Sequence, residues 1–414
     1  MANPRGYHCE SAADQLGDYR WLANQGEAWI AMAAERSSSP LARAEWLRTQ
    51  IPPQRARLVL EQVELRERAR DKFPDASRHL YTRLGLEQAT DATVAAYKAR
   101  RFRHGEPVAD LCCGIGGDLV ALAGRGPATG VERDPLVALL AEANLRMVET
   151  ENGQNTVRFS CGVVVADAAE FSVAGYWGWH IDPDRRPAGR RTTRVDFHEP
   201  GPEVIDRLRG DCGTGAVKLA PAAVLPENWP PEAELEWISR DRQCRQLVAW
   251  FGDLAAYPGH RKATLLGDSP VPMRTVVGEA TCGPPAVRPV GRYVFDPDAA
   301  VLAAGLLGVL AAEHGLAPFS ATAAYLTGDR LLEDPMLACF EVLEVMPLDV
   351  KRLARHLRDR NIGRLEIKKR GVPHDPETLR RRLALRGELP GVLILASVGR
   401  SATAILARRC REPS

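Results

Sequence analysis

The 414-residue sequence predicts an α/β protein with a Rossmann-like parallel sheet, an N-terminal helical domain and a small C-terminal α+β domain. Three observations predict this fold. A short apolar strand at 108–111 runs through the glycine-rich turn 114–117 into a helix-period pattern. Further short apolar strands each end in an acidic residue. Residues 11–102 show helical periodicity, whereas the last 75 residues alternate strand and helix patterns.

The turn from Asp110 to Gly117 is the strongest of these signals. Glycine permits positive φ angles and lets a ligand approach the backbone, because it has no Cβ. Asp110, at the end of the strand, can accept hydrogen bonds from a ligand amine or hydroxyl. Cys112 and Cys113 lie within the turn, where small side chains leave room for a ligand. The segment therefore predicts a nucleotide or nucleoside site.

Acidic residues follow three more strands in series. Glu132 ends the second strand, about twenty residues later, where a carboxylate can bind both hydroxyls of a ribose. Asp167 ends the third strand and can accept a hydrogen bond from an adenine amine. Asp182 and Pro183 follow the fourth strand. Acids in register with four strands predict one ligand site along the carboxyl edge of the sheet.

The order Asp-x-x-x-Gly-x-Gly-Gly, Glu132, Asp167 and Asp182-Pro183 resembles the class I S-adenosylmethionine (SAM) dependent methyltransferases. The resemblance implies a class I methyltransferase Rossmann-like sheet and SAM as the cofactor. It implies that Asp110 lies near the methionine end of SAM, Glu132 at the ribose and Asp167 at the adenine. The residues expected to bind the cofactor are Asp110, Cys112, Gly114, Gly116, Gly117, Glu132, Arg133, Asp167 and Ala168.

A narrower likeness extends over most of the chain from about residue 70. The segments 80–90 and 365–372, followed by Asp375-Pro376-Glu377 and a basic helix, resemble a bacterial methyltransferase group with a C-terminal THUMP-like domain. That group is similar to the RNA cap guanine-N2 (trimethylguanosine synthase) methyltransferases. The resemblance implies RNA binding by the C-terminal domain.

The loop at 182–186 bears on the reaction. Methyltransferases of exocyclic amines generally carry Asp, Asn or Ser, then two prolines and an aromatic residue here; this chain reads Asp-Pro-Asp-Arg-Arg. The missing second proline and aromatic ring leave amine methylation open. Arg185 and Arg186 either bind phosphate or pair with acids such as Asp196 and Glu199. The catalytic candidates, with Asp182 orienting the acceptor, are Asp182, Pro183, Asp184 and Arg185.

Aromatic residues before this loop have two interpretations. Tyr176, Trp177 and Trp179 either belong to the core, which is the more frequent role of aromatics beside a strand, or provide a surface on which a base stacks. Tyr81 and Thr90 are weaker candidates for the entrance to the cofactor cleft, by their position in the family pattern.

Charge is unevenly distributed along the chain. The net charge is +2, yet residues 351–414 contain 17 Lys and Arg against 6 Asp and Glu. A basic domain on an acidic body predicts a polyanion-binding module, although Arg-rich helices are often only solvated. The residues predicted to bind RNA phosphates are Lys368, Lys369, Arg370, Arg380, Arg381 and Arg382.

Composition agrees with a folded enzyme. Hydrophobic residues make up 45% of the chain, which excludes disorder throughout. The nine cysteines show neither a C-x-x-C pair nor zinc-ligand spacing, so we expect free thiols, no metal site and a reducing, cytoplasmic location. Residues 1–25 do not resemble a signal peptide, and the longest apolar run, 299–312, predicts one buried helix too short to cross a bilayer. We expect no membrane association.

We predict four domains: an N-terminal helical domain at 1–104, the methyltransferase domain at 105–285, a helical connecting segment at 286–339 and the basic THUMP-like domain at 340–414. Within the methyltransferase domain, a helix is expected from Gln243 to Leu254. The predicted function is SAM-dependent methylation of a base in a structured RNA. Two alternatives stay open: a catalytically silent protein that binds SAM or RNA, and a methyltransferase of a small molecule.

Overall fold

The structure is a computed structural model that describes residues 12–36, 39–151, 159–185, 192–279, 283, 286–398 and 401–410. The chain divides into two compact units. The first comprises residues 1–219, 223–227 and 249–256, and the second comprises 220–222, 228–248 and 257–414. The four-domain division expected from the sequence stays a prediction.

The first unit begins with five helices, in agreement with the helical periodicity. Ser39, Thr82 and Asp91 cap the second, fourth and fifth of them, each accepting a hydrogen bond from a backbone N–H of the first helical turn. Apolar residues of the first three helices form a core with the segment around Leu80. The helices are α1 (Ala12–Arg36), α2 (Pro40–Gln50), α3 (Pro53–Ala69), α4 (Arg83–Gln88) and α5 (Ala92–Ala99).

A set of five adjacent parallel strands, part of a larger sheet, follows in the same unit. Its strands are β1 (Val108–Leu111), β2 (Ala128–Glu132), β3 (Gly162–Val165), β4 (Gly178–Ile181) and β5 (Gly215–Leu219), in the order β3-β2-β1-β4-β5. The connecting helices are α6 (Leu119–Ala123), α7 (Pro135–Glu151) and α8 (Pro202–Asp211). Because the strands are parallel, their carboxyl ends meet at one edge, which is where ligands bind in such sheets. The register places Asp110 opposite His180 on β4.

The glycine-rich turn after β1 depends on backbone angles that glycine allows. Gly114 has φ +55° and Gly116 has φ +88°, both in the left-handed region. Asn144 on α7 fixes the turn, because its amide donates hydrogen bonds to the carbonyls of Ile115 (2.9 Å) and Leu80 (3.0 Å). This one buried side chain therefore joins the turn to the segment that precedes α4.

The second unit begins with strands β6 (Glu234–Arg240), β7 (Gln243–Phe251), β8 (Arg261–Leu266) and β9 (Pro272–Gly278). The last three residues of β7 belong to the first unit. β6 and β8 are parallel, and β8 and β9 are antiparallel. The helix expected at 243–254 is wrong, because that segment forms β7 and a single 3-10 turn. A short apolar run such as 247–251 does not distinguish a buried strand from a buried helix.

A seven-stranded sheet forms the rest of this unit, with strand order β11-β12-β10-β13-β16-β15-β14. The helices α11 (Val350–Asp359) and α12 (Pro376–Leu383) contribute leucines to an apolar cluster with β14, β15 and β16. The strands are β10 (Tyr293–Pro297), β11 (Ala317–Pro318), β12 (Leu326–Gly328), β13 (Leu337–Pro347), β14 (Ile362–Arg370), β15 (Leu389–Val398) and β16 (Ser401–Arg409).

Two expectations about the connecting segment need correction. The sequence predicts a helical segment at 286–339, but these residues also provide β10, β11 and β12 and the start of β13. The apolar run 299–312 forms two helices, α9 (Ala299–Ala304) and α10 (Leu307–His314), instead of one. Gly305, with φ +71°, ends the first of them as a left-handed cap.

In the described part of the chain, no helix is both long enough and apolar enough to cross a membrane.

Candidate cofactor and acceptor site

A cavity of about 530 Å³ opens at the carboxyl edge of the parallel sheet. This volume is in the usual range of small-molecule sites. All but one of the predicted cofactor and catalytic residues line it. The exception, Gly116, lies against Ala141 of α7. The predicted residues in the wall are Asp110, Cys112, Gly114, Gly117, Glu132, Arg133, Asp167, Ala168, Asp182, Pro183, Asp184 and Arg185.

Only one of the two carboxylate oxygens of Asp110 has a hydrogen-bond partner among the described residues. The side chain is 1% exposed, and its Oδ1 accepts a hydrogen bond from Nδ1 of His180 at 2.7 Å. Among the described residues, its buried Oδ2 has no hydrogen-bond partner. Burial raises the pKa of Asp110, and the contact with His180 opposes this effect. An unpaired buried carboxylate oxygen costs free energy, which a ligand donor in the cavity would recover.

Behind Asp110 lies a buried ion pair between Lys98 of α5 and Asp118. Lys98 Nζ is 2.7 Å from Asp118 Oδ1 and 3.2 Å from Nε2 of His180, and Thr90 donates to Asp118 Oδ2 at 2.6 Å. Burial favours a raised pKa for Asp118, but Lys98 together with the neighbouring His180 and Lys218 more than offsets it, so this pKa is well below its usual value. Burial lowers the pKa of Lys98. The ring of His180 therefore lies between the two groups, with Nδ1 at Asp110 and Nε2 at Lys98.

A second ion pair holds the candidate catalytic carboxylate. Nζ of Lys218, on β5, is 2.5 Å from Oδ2 of Asp182 and also donates to the carbonyl of Gln88 at 3.2 Å. Burial lowers the pKa of Lys218, but the charges of Asp182 and Asp118 more than compensate, so the net pKa is raised. Asp182 is thus a carboxylate fixed in place by a buried ammonium group.

Glu132 shapes the turn that it faces. Its Oε2 accepts from the backbone N–H of Gly114 and its Oε1 from that of Asp134, both at 3.0 Å. Each oxygen keeps a second lone pair that can accept a hydrogen bond from a ribose hydroxyl. Asp167 is exposed at the cavity wall and accepts from the N–H of Ala169 at 2.8 Å. Both positions suit the roles that the resemblance implies for them.

The geometry therefore fits an adenosine-type cofactor. The unpaired Oδ2 of Asp110 can take a donor, and Gly114 has open space where a Cβ would point. Burial raises the pKa values of Cys112 and Cys113 well above the usual value, so both are neutral thiols that leave room in the turn.

The loop after β4 is tied to the segment before α8. Asp184 and Glu199 exchange backbone hydrogen bonds of 2.8 and 3.0 Å, and Pro183 is buried. The two acids suggested as partners of Arg185 have other partners: Glu199 pairs with Arg133 at 2.7 Å and Asp196 with Arg194 at 2.9 Å. Arg186 lies outside the described residues.

Sequence reasoning missed several residues of the site. His180 could have been found, because strands β1 and β4 are adjacent in such sheets and its position faces Asp110. No sequence motif pointed to Lys98, Asp118 or Lys218, because they come from separate elements. Lys98 lies on α5, Asp118 in the turn before α6, and Lys218 on β5. His198 was also missed; it lines the cavity and is buried.

Of the three aromatic residues before the loop, none lines the cavity, and Trp179 belongs to the core. Trp179 is fully buried and its Nε1 donates to the carbonyl of Cys212 at 2.8 Å. Trp177 makes an edge contact with Phe102. Tyr81 is buried, whereas Thr90 lines the cavity.

The basic residues of β14 are divided between two sheet faces. Lys368 and Arg370 both pair with Asp296 of β10, at 2.9 and 2.8 Å, and Lys369 is exposed on the alternate face. On α12, Arg380 pairs with Glu377, while Arg381 and Arg382 are exposed.

Among the described residues, no group of three or more His, Cys, Asp and Glu side chains could hold a metal ion. The described cysteines are free.

Three comparisons with known proteins bear on the family and the fold of this chain. Residues 337–409 match the family model "THUMP domain-like". An uncharacterized S-adenosylmethionine-dependent methyltransferase of Mycobacterium tuberculosis, from strains H37Rv and CDC 1551, is 35% identical over 355 residues, which is 83% of this chain and 94% of that protein. The crystal structure of a "putative methyltransferase" from Porphyromonas gingivalis W83 covers 97% of this chain and all of its own, with a TM-score of 0.74 and 22% identity.

The structural likeness confirms the predicted class I methyltransferase fold, and the family match confirms the THUMP-like domain near the C terminus. The sequence identity, extending over most of both chains, establishes the family. The chain belongs to the S-adenosylmethionine-dependent methyltransferases.

Proposed function

We propose that this chain transfers a methyl group from SAM to a base in a structured RNA. One observation carries the proposal: a single cavity brings the unpaired carboxylate oxygen of Asp110 together with Glu132, Asp167 and the Asp182-Pro183 loop. A cofactor site and an acceptor loop therefore share one space.

The cofactor half of the cavity would be formed by Asp110, Glu132, Asp167 and the glycine turn. Asp110 would accept from a donor at the methionine end, Glu132 from the ribose hydroxyls and Asp167 from the adenine amine. When bound, SAM supplies a methyl group that its sulfonium sulfur makes reactive. The chain's own task is to hold the acceptor atom in line with that methyl group, because correct orientation provides much of the rate.

The acceptor half would be formed by the loop at 182–185. Lys218 fixes the Asp182 carboxylate, so this group presents its free lone pairs in one direction. Arg185 lines the same cavity and carries a guanidinium suited to phosphate. A nucleotide, with a base and a phosphate, matches both groups.

The RNA contact would be made by the THUMP-like domain. Its exposed Lys369, Arg381 and Arg382 form the basic surface that we assign to phosphate binding. The hydrogen bonds from Thr378 lower the pKa of Asp375, and the charges of Lys369 and Arg381 lower it further. Lys368 and Arg370, which the sequence also indicated, are paired with Asp296 and contribute to the sheet instead.

The test combines binding and transfer. Calorimetry with SAM measures cofactor affinity, with Glu132→Ala as the disabled variant and exposed Glu170→Ala as the matched control in the same unit. Methyl-labelled SAM is then incubated with total RNA from a strain that lacks the protein, and modified nucleosides are profiled. We expect the label to enter RNA with the native protein and not with Glu132→Ala.

Other results would identify the alternatives. Binding of SAM without transfer to RNA or to a small-molecule extract would indicate a silent binding protein. Label in the small-molecule extract alone would indicate a small-molecule methyltransferase. Absence of SAM binding by the native protein would exclude the proposed reaction altogether.

A further inference from the structure

His198 is a buried histidine in the wall of the candidate acceptor site. It follows a single 3-10 turn at 195–197 and precedes α8, and only 5% of its surface is exposed. Its neighbours in the wall include Asp182, Asp184 and Arg185, the residues of the acceptor loop. The side chain is thus held at the part of the cavity where the methyl acceptor is proposed to bind.

The imidazole of His198 has no fixed hydrogen-bond role within the described residues. Neither Nδ1 nor Nε2 meets the usual hydrogen-bond geometry with a partner there, although the Thr192 carbonyl lies near the ring. His180, by contrast, uses both nitrogens, one with Asp110 and the other with Lys98. Leaving a buried polar group unpaired costs free energy, so such a group in a cavity wall indicates a ligand that pairs with it.

The surroundings of His198 keep it neutral. Burial lowers the pKa of its imidazole, and the charge of Arg185 lowers this pKa further. The nearby Thr192 carbonyl and the charges of Asp182 and Asp184 raise it by less. The net pKa of His198 is therefore below its usual value. A neutral imidazole has one nitrogen with a free lone pair. Asp182, the other candidate base, already has Nζ of Lys218 at 2.5 Å from its Oδ2, so this oxygen is engaged in an ion pair.

We infer that His198 accepts the proton that the acceptor atom loses on methylation, and that the acceptor is therefore an N–H or O–H group of the nucleotide. This inference rests on the proposed function. The acceptor lone pair forms a bond to the methyl carbon while the carbon–sulfur bond breaks and its electron pair stays on sulfur. The proton of the acceptor passes to the free nitrogen of His198 and then to solvent. A ring nitrogen without hydrogen, such as N7 of guanine, would need no such base.

The experiment compares the native chain with His198→Gln and His198→Asn, which keep polarity and differ in reach. His104→Gln is the matched control, because His104 is an exposed histidine of the same unit outside the cavity. Methyl transfer to RNA from a strain lacking the protein is measured as kcat and KM between about pH 5 and pH 9, a range that spans the ordinary titration of histidine. Calorimetry gives the Kd for SAM of each protein, and free imidazole is added to His198→Gly to test rescue.

We expect kcat to fall by roughly 10²-fold in both His198 variants, the usual contribution of a general base. The acidic limb of the pH profile should disappear, imidazole should restore part of the rate, and the Kd for SAM should stay within about twofold of native, since cofactor affinity does not depend on the base. The methylated nucleoside should carry its methyl group on an atom that bore hydrogen.

Each contrary result has one meaning. A His198→Gln protein with native kcat and an unchanged pH profile overturns the inference while the methyltransferase reaction stands. Loss of SAM binding in both variants, or a product methylated on a hydrogen-free ring nitrogen, also overturns it. If the native chain transfers no methyl group to RNA, the proposed function itself fails, and the inference fails with it.

Discussion

Asp110 of β1 and His180 of β4 are directly opposite in the parallel register, and Oδ1 of Asp110 is 2.7 Å from Nδ1 of His180. Both residues are buried. The pair links the cavity to the ion pair of Lys98 and Asp118 behind it, because His180 also contacts Lys98 at 3.2 Å. A chain of buried polar groups thus orients the carboxylate that we assign to the cofactor.

Replacing Asp110 by Asn should weaken SAM binding. The amide keeps the shape but removes a charged acceptor, and hydrogen bonds to charged groups contribute about 1.5–3 kcal/mol. We therefore expect the Kd for SAM, measured by calorimetry, to rise by roughly 10- to 100-fold. Exposed Glu170→Gln serves as control. An unchanged Kd in a folded Asp110→Asn protein would show that this carboxylate does not contact the cofactor.

Replacing Lys98 by Met should destabilise the first unit. Asp118 would become a buried charge without its main partner, and breaking a buried pair in this way costs about 3–5 kcal/mol. The free energy of unfolding in urea measures the loss. The double variant Lys98→Met/Asp118→Asn should recover part of it, because the unpaired charge is gone. Equal stability of the single variant and the native chain would contradict the proposed role of the pair.

The stability of the chain should decrease as the pH falls below 6.5, the ordinary pKa of histidine, in part because of His79. Burial lowers the pKa of His79, so between its folded pKa and 6.5 the unfolded chain binds more protons than the folded one. The free energy of unfolding therefore decreases as the pH falls through that window. Each unit of pKa difference corresponds to about 1.4 kcal/mol.

Unfolding in urea at several pH values tests this expectation. His79→Gln should flatten the dependence just below pH 6.5, whereas exposed His104→Gln should leave it as in the native chain. A His79→Gln protein with the native pH dependence would refute the assignment to His79.

Two sets of basic residues in the THUMP-like domain should behave differently. Lys369→Ala/Arg381→Ala/Arg382→Ala removes exposed cations and should weaken RNA binding, lowering the slope of log K against log salt by about 1 for each phosphate that is no longer neutralised. Lys368→Ala/Arg370→Ala removes the partners of Asp296 and should chiefly lower stability. Filter binding at several salt concentrations and urea unfolding measure the two effects. The reverse pattern would indicate that Lys368 and Arg370, and not the exposed residues, bind phosphate.

The strand ends and the glycine turn around the cavity could be predicted from the sequence for a local reason. Asp110, Gly114, Glu132 and Asp167 belong to strand ends and tight turns, whose signals, an apolar run closed by an acid or a group of glycines, span only a few consecutive residues. The repeated pattern of an apolar strand followed by an acidic residue can thus be recognised from the sequence alone. The prediction of a helix at 243–254 was wrong, because a short apolar run is compatible with either a strand or a helix until a partner strand is present.

By itself, the sequence indicated the class of fold, the glycine turn and the series of acids at strand ends, since each has a signal carried by a few consecutive residues. Only the tertiary structure decided the electrostatics of the site. Lys98, His180, His198 and Lys218 come from separate elements, and their pairing, or lack of it, exists only after the chain has folded. The tertiary structure also showed that Asp296 pairs with Lys368 and Arg370. The sequence does not indicate this pairing, because the two basic residues are 72 and 74 positions away from Asp296 along the chain.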